Sequence, residues 1–223
     1  MVSLAGITYD YCTLASARLH AKHLLEEDYQ AYQHLPPRTR LPSLAARSLL
    51  RSLLQLDGAW AHVWMSPIAR REQGALWLPA APHIGISVSH SGDQVMAAVA
   101  EGCAVGVDIE RLDPNFDGIA LARRFFHPSE IARLTRQPEG FWNCWTAKES
   151  VLKSLHVGLR IPLASFCIED FARPHWVSVC GRRAWVQSLS APPGYRAAIA
   201  STLSLVAQRR SIRETTRPRV ECR

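Results

Sequence analysis

Two carboxylates stand two residues apart in Gly106-Val107-Asp108-Ile109-Glu110. On a strand, residues so spaced share a face, so Asp108 and Glu110 project together while Val107 and Ile109 turn to the core. Side by side the two acids repel, and such a pair needs a cation, a shared proton or open water. Oxygen ligands of this kind suit Mg²⁺ or Mn²⁺ rather than zinc. The plainer alternative is a strand end exposing two solvated acids before Arg111. A third acid lies in Phe141 to Lys153, FWNCWTAKESVLK. At about 100° per residue, Trp142, Trp145, Glu149, Leu152 and Lys153 fall on one side of a helix, with Lys148 flanking them. Charges held dry among tryptophans are costly without partners. On an open surface, Glu149 and Lys153 would be an ordinary i to i+4 pair worth roughly 0.3 to 0.5 kcal/mol. Placed opposite Asp108 and Glu110, Glu149 would supply a third oxygen ligand and Lys153 a phosphate contact.

Two further groups bear on anion binding. Ser87-Val88-Ser89-His90-Ser91-Gly92 reads as a strand end entering a turn, where hydroxyls, free N–H groups and an imidazole can hold a phosphate. A serine hydrolase built on Ser89, His90 and Asp108 is excluded: there is no G-x-S-x-G elbow, and neighbouring strand residues point to opposite faces. Arg38, Arg40 and Arg47 cluster near one helix start, where guanidinium forks could clamp a phosphate monoester or simply be solvated. The histidines lack a third ligand at zinc spacing, and no G-x-G-x-x-G, P-loop or H-E-x-x-H occurs.

The elements that must position these groups follow from periodicity. Residues 12 to 34 have helical spacing, and Leu41 to Leu56 reads as an amphipathic helix. Ile84 to His90, Val95 to Ala100 and Ala104 to Glu110 are β-prone runs split by short turn signals, which predicts an antiparallel meander. Helical text follows from Ile119 to about His156, broken at Pro128 and Pro138, and then strands near 166–169, 176–180, 184–189 and 195–201. Helices then meander, twice over, is a duplication pattern, with VMAAVA (95–100) and YRAAIA (195–200) as corresponding strands. The fold class is therefore α+β: two similar halves, each with helices packed on an antiparallel β-meander, related by pseudo-twofold symmetry. The halves are residues 1–112 and 113–208, followed by an arginine-rich tail, 209–223, read as disordered.

Composition narrows the class. The 223 residues are 48% apolar and 20% charged, which is globular. Of the net +7, the tail supplies +4, so the body is only mildly basic. A basic balance fits an anionic ligand or partner. Six cysteines without C-x-x-C spacing read as free thiols in a reducing cytoplasm. No run of 18 apolar residues and no secretory leader is present, which argues against membrane or export. Nucleic-acid binding lacks the aromatic residues interleaved on a basic strand face that it would need.

In order, V-S-H-S-G, then G-V-D-I-E, then F-W-x-x-W-T-x-K-E-S-x-x-K resemble the 4'-phosphopantetheinyl transferases, in particular their larger pseudo-dimeric class. The resemblance covers roughly residues 38–166, and more faintly Pro193-Gly194-Tyr195. It implies transfer of the phosphopantetheine arm of coenzyme A to a serine of an apo carrier protein, releasing adenosine 3',5'-bisphosphate. It further implies Asp108, Glu110 and Glu149 as Mg²⁺ ligands, Lys153 at the phosphates, and Ser89 and His90 on coenzyme A. Arg38 and Arg47 would lie around the nucleotide, with Glu149 and Lys153 as the catalytic pair and Trp145 packing. The family commonly has Gly-Lys-Pro where this chain has Gly74-Ala75-Leu76, so either Arg70 or Arg71 replaces that lysine or coenzyme A binds more weakly or in a shifted pose. The partner would be an acidic carrier protein docking on Arg123-Arg124-Phe125-Phe126, with Arg133 and Arg136, and a duplicated chain could act as a monomer. The alternative is a non-catalytic coenzyme A or nucleotide binding module, for which all four of Asp108, Glu110, Glu149 and Lys153 would be superfluous.

Overall fold

The computed structural model describes residues 1–203 apart from 5, 57, 59 and 172; the tail at 209–223 lies outside the described residues. The chain opens with strands β1 (Val2–Leu4) and β2 (Ile7–Thr13), then helices α1 (Leu14–Ala17), α2 (Glu26–Tyr32) and α3 (Pro37–Leu56). A short hairpin, β3 (Ala69–Arg70) and β4 (Leu76–Trp77), precedes β5 (Ile84–Ser91), β6 (Gln94–Glu101) and β7 (Val105–Arg111). Helices α4 (Gly118–Phe125), α5 (Pro128–Arg136) and α6 (Phe141–Ser154) follow, and β8 (His175–Val179), β9 (Arg182–Leu189) and β10 (Tyr195–Ser201) complete the order. No helix among the described residues is long and apolar enough to cross a membrane, and Cys12, Cys144, Cys167 and Cys180 are free thiols.

The mixed α+β class holds, and the order of layers follows from strand alternation. One sheet runs β1-β2-β6-β5 and a second runs β7-β10-β9-β8, each with antiparallel neighbours. On β6, Val95, Ala97 and Val99 pack with Leu49, Leu50, Leu53 and Leu54 of α3. The intervening Met96, Ala98 and Ala100 pack with Val105, Val107 and Ile109 of β7 and with Ala197 and Ile199 of β10. The opposite face of β10, Ala198 and Ala200, meets Ala147, Val151 and Leu152 of α6. The result is α3, sheet, sheet, α6, with both inner layers buried on two faces. Each of those α3 leucines is at most 1% exposed, and each contributes about 1.5 to 3 kcal/mol.

Three expectations are corrected. The meander ends at β6: β7 leaves it and pairs with β10, Asp108 opposite Ala198. The stretch 7–13 is a strand that the helical reading of 12–34 does not foresee, and it pairs with β6 from Ile7 opposite Ala100 to Thr13 opposite Gln94. Residues 166–169 form no strand, because side chains take their backbone groups: Glu130 Oε1 accepts from Ile168 N (2.7 Å), Lys148 Nζ donates to Phe166 O (2.7 Å), and Arg133 donates to Ile168 O.

Candidate functional site

The site lies where β7 runs beneath α6. Because Val105, Val107 and Ile109 fill the space between the sheets, the alternate positions of β7, Gly106, Asp108 and Glu110, face the helix. Gly106 lets the two approach: a Cβ there would lie 2.1 Å from Ser150 O and 2.5 Å from Ser154 N. Two residues further along the strand, Asp108 Oδ1 accepts from Lys153 Nζ at 2.7 Å, and the same ammonium donates to Val107 O at 3.0 Å. Glu149, one turn before Lys153, lines the same cleft of about 470 Å³, together with Ser89, His90, Asp108, Glu110 and Trp145. Strand and helix thus bring together the three acids and the lysine that spacing had paired only by hypothesis.

The other wall is stitched to β7 through side chains. The β5 serines stand in for strand carbonyls: Ser87, Ser89 and Ser91 accept from the N–H groups of Val107 (3.1 Å), Ile109 (3.4 Å) and Arg111 (3.1 Å). Two of the hydroxyls then donate onward, Ser89 to Asp108 Oδ1 at 2.8 Å and Ser91 to Glu110 Oε2 at 2.6 Å. Each acid is thereby oriented by a group belonging to the first sheet. Asp108 is 3% exposed, and its Oδ2 is buried with no hydrogen-bond partner. An orphaned carboxylate oxygen in such a place is costly unless something positive meets it.

The electrostatics point the same way. Burial first, and the Asp108 charge second, push the carboxyls of both Glu110 and Glu149 above the ordinary carboxylate range. Lys153 opposes this without cancelling it. The three acids therefore strain against one another and would be relieved by a further cation. Among the described residues, no set of three or more His, Cys, Asp or Glu side chains is arranged to hold a metal ion as it stands. Here Lys153 stands on Asp108. His90 lies at the rim, its imidazole pKa lowered by burial and then by Lys153.

Not every expected residue joins the site. Arg38 is exposed on the first turn of α3 and lines none of the clefts described here. Arg47 is buried: Nη2 donates to the Tyr32 hydroxyl (3.2 Å), Nη1 to Ile68 O (3.5 Å), and Nε lies 3.6 Å from Asp28. Its charge serves the α2–α3 junction, where Arg51 also binds Asp28. Arg70, in contrast, lines both the acidic cleft and an adjoining one of about 460 Å³ that Gln73, Gly74, Ala75 and Leu76 border. Arg71 stacks over Trp77 instead. Lys148 is fully buried against Glu130 (2.9 Å), on the other side of α6 from the acids, and Trp142 lines a separate groove with Phe116 and Phe141.

Sequence reasoning missed Tyr32, Ser43, His156 and the role of Ser91. Only Ser91 carried a signal, the two-residue spacing of the three serines. The basic strip expected for docking survives in part. Arg123, Arg124, Phe125 and Arg136 are exposed, whereas Phe126 is in the core and Arg133 is spent on the 168–169 carbonyls and on Phe171.

Comparisons extend beyond these motifs. The family model for the 4'-phosphopantetheinyl transferase superfamily matches residues 104–200, from β7 to β10. A 4'-phosphopantetheinyl transferase of Bacillus subtilis is 36% identical over 103 residues, 44% of this chain and 45% of that one, so the match spans less than half of its length. The 4'-phosphopantetheinyl transferase ffp of Bacillus subtilis is 30% identical over 174 residues, 73% of this chain and 72% of that one. The transferase Sfp of strain 168 is 28% identical over the same shares. A likeness that runs through 73% of the chain is far longer than the stretch carrying the acids, and on it the chain belongs to the 4'-phosphopantetheinyl transferase superfamily.

Proposed function

We propose that the chain transfers the 4'-phosphopantetheine arm of coenzyme A to a serine hydroxyl of an apo carrier protein and releases adenosine 3',5'-bisphosphate. The observation that carries this is the cleft in which Asp108, Glu110, Glu149 and Lys153 meet, with Asp108 Oδ2 buried and unpaired. Those oxygens fit Mg²⁺, or Mn²⁺, held by Asp108, Glu110 and Glu149. Such an ion would neutralise charge on the pyrophosphate.

The chain's own groups do the rest. Arg70, in both clefts, takes the place of the lysine absent at Ala75, and Ser89 and His90 border the phosphate end. Glu149 accepts the proton of the carrier serine, whose oxygen forms a bond to phosphorus as the pyrophosphate P–O bond breaks. Lys153 offsets the charge that builds on the departing bisphosphate. The exposed Arg123, Arg124 and Phe125 would meet an acidic carrier. Incubation with coenzyme A, Mg²⁺ and a panel of apo carriers should add one phosphopantetheine to a carrier by mass spectrometry. Glu149→Gln should lose most of that turnover, and near-normal transfer by this variant rejects the assignment of the base.

The two halves are read as repeats that share one unit, strand, helices, strand, strand (β2, α1 to α3, β5 and β6; β7, α4 to α6, β9 and β10), with the division near residues 102–104 rather than at 112. Register supports this: Ala98 pairs with Tyr9 and Ser87, and Ala198, a hundred residues on, pairs with Asp108 and Ser188. With both halves of the site in one chain, a monomer suffices.

A further inference from the structure

The C-terminus of α6 is closed by paired hydrogen bonds: His156 N–H donates to Lys153 O (3.1 Å) and Val157 N–H to Leu152 O (3.2 Å). That pattern sets the residue after the cap in the left-handed region and ordinarily selects glycine. Here it is His156, at φ 56°. Among the described residues one other non-glycine has positive φ, Cys180, which with Gly181 makes the exposed β8–β9 turn. A strained residue in a turn that glycine would satisfy implies that its side chain is used.

The imidazole is placed for use. Its Nε2 is buried with no hydrogen-bond partner, and the residue borders both the 460 Å³ cleft and a neighbouring one of about 290 Å³. Across the larger cleft stand Arg70 and the 73–75 turn; Leu76, Ile86, Val88 and Leu152 give it apolar walls, and Ser87, Gly158, Glu149 and Lys153 complete the lining. Burial, with Arg71 and Arg182, lowers its pKa, so it is neutral at pH 7. A predominantly apolar lining with a neutral donor-acceptor fits a flat heterocycle better than a phosphate, and the charged side chains of the same cleft suit the phosphates attached to it. We infer that His156 Nε2 makes the specific polar contact to the nucleobase of coenzyme A, whose phosphates reach Arg70 and the acids. This deepens the functional reading above and rests on it.

The test compares wild type, His156→Gly and His156→Asn by calorimetric binding of coenzyme A, of adenosine 3',5'-bisphosphate and of free 4'-phosphopantetheine, with Tm measured in parallel. His156→Gly should bind both nucleotides about tenfold more weakly, the loss of one hydrogen bond. Its affinity for 4'-phosphopantetheine should not change, and its Tm should hold or rise as the strain is released. His156→Asn, whose amide tolerates the left-handed region, should fall between them. Nucleotide affinity unchanged in His156→Gly, or equal losses for nucleotides and 4'-phosphopantetheine, overturns the assignment while leaving the transferase reading intact. Wild type that binds no nucleotide overturns both.

Discussion

Gly106→Ala is the sharpest probe of how the site is built. The added methyl would sit 2.1 Å from Ser150 O, 2.5 Å from Ser154 N and 2.9 Å from Lys153 Cβ, whereas ordinary contact begins at 3.4 Å. Two of these three atoms are helix backbone, so no rotamer change relieves the clash, and α6 must retreat by about 1 Å. That movement carries Lys153 away from Asp108, at present 2.7 Å apart, and Glu149 with it. Overpacking of this kind costs roughly 1 to 3 kcal/mol, and a 1 Å misplacement of reacting groups costs on the order of 100-fold in rate. Urea denaturation should show the stability loss, and transfer of the arm from coenzyme A to an apo carrier should show the rate loss. Gly106→Ala within about 0.5 kcal/mol and threefold of wild type would refute the close approach of β7 and α6.

Three other outcomes are expected. Because the pKa values of Glu110 and Glu149 are raised in the folded state, that state holds protons the unfolded chain releases, so stability falls as pH rises from the ordinary carboxylate range through the raised values. A divalent cation reverses the penalty, and Mg²⁺ should raise Tm more at about pH 7.5 than at about pH 5; an equal shift at both would count against the three acids as its ligands. Arg70→Ala should raise the KM for coenzyme A about tenfold and weaken its salt dependence, while Arg71→Ala should stay within about twofold in steady-state assays. Lys148→Met leaves Glu130 buried without its ion pair and should cost about 3 kcal/mol in urea unfolding, with part of the loss recovered on adding Glu130→Gln.

What was legible in the sequence is what alternation and helical stepping determine locally. Asp108 and Glu110 share a face because Val107 and Ile109 occupy the other, and Glu149 and Lys153 are one turn apart; both relations are fixed within a few residues. Partners far along the chain were not legible. Nothing near β7 announces that it pairs with β10 rather than β6. Arg47 resembles any anion-binding arginine until Asp28 and Tyr32 fold over it. Residues 166–169 have strand composition, yet Glu130, Arg133 and Lys148 take their backbone groups first. His156 lacked a signal of its own, since the need for glycine arises from how α6 ends.

Strand β5 is joined to β7 by three hydroxyls rather than by a backbone ladder. A ladder is made of backbone groups that every residue but proline carries, so most point mutations leave it as it is. Hydroxyls can be deleted or lengthened one by one, so the alignment of the two sheets, and with it the spacing of the acids, is open to selection residue by residue.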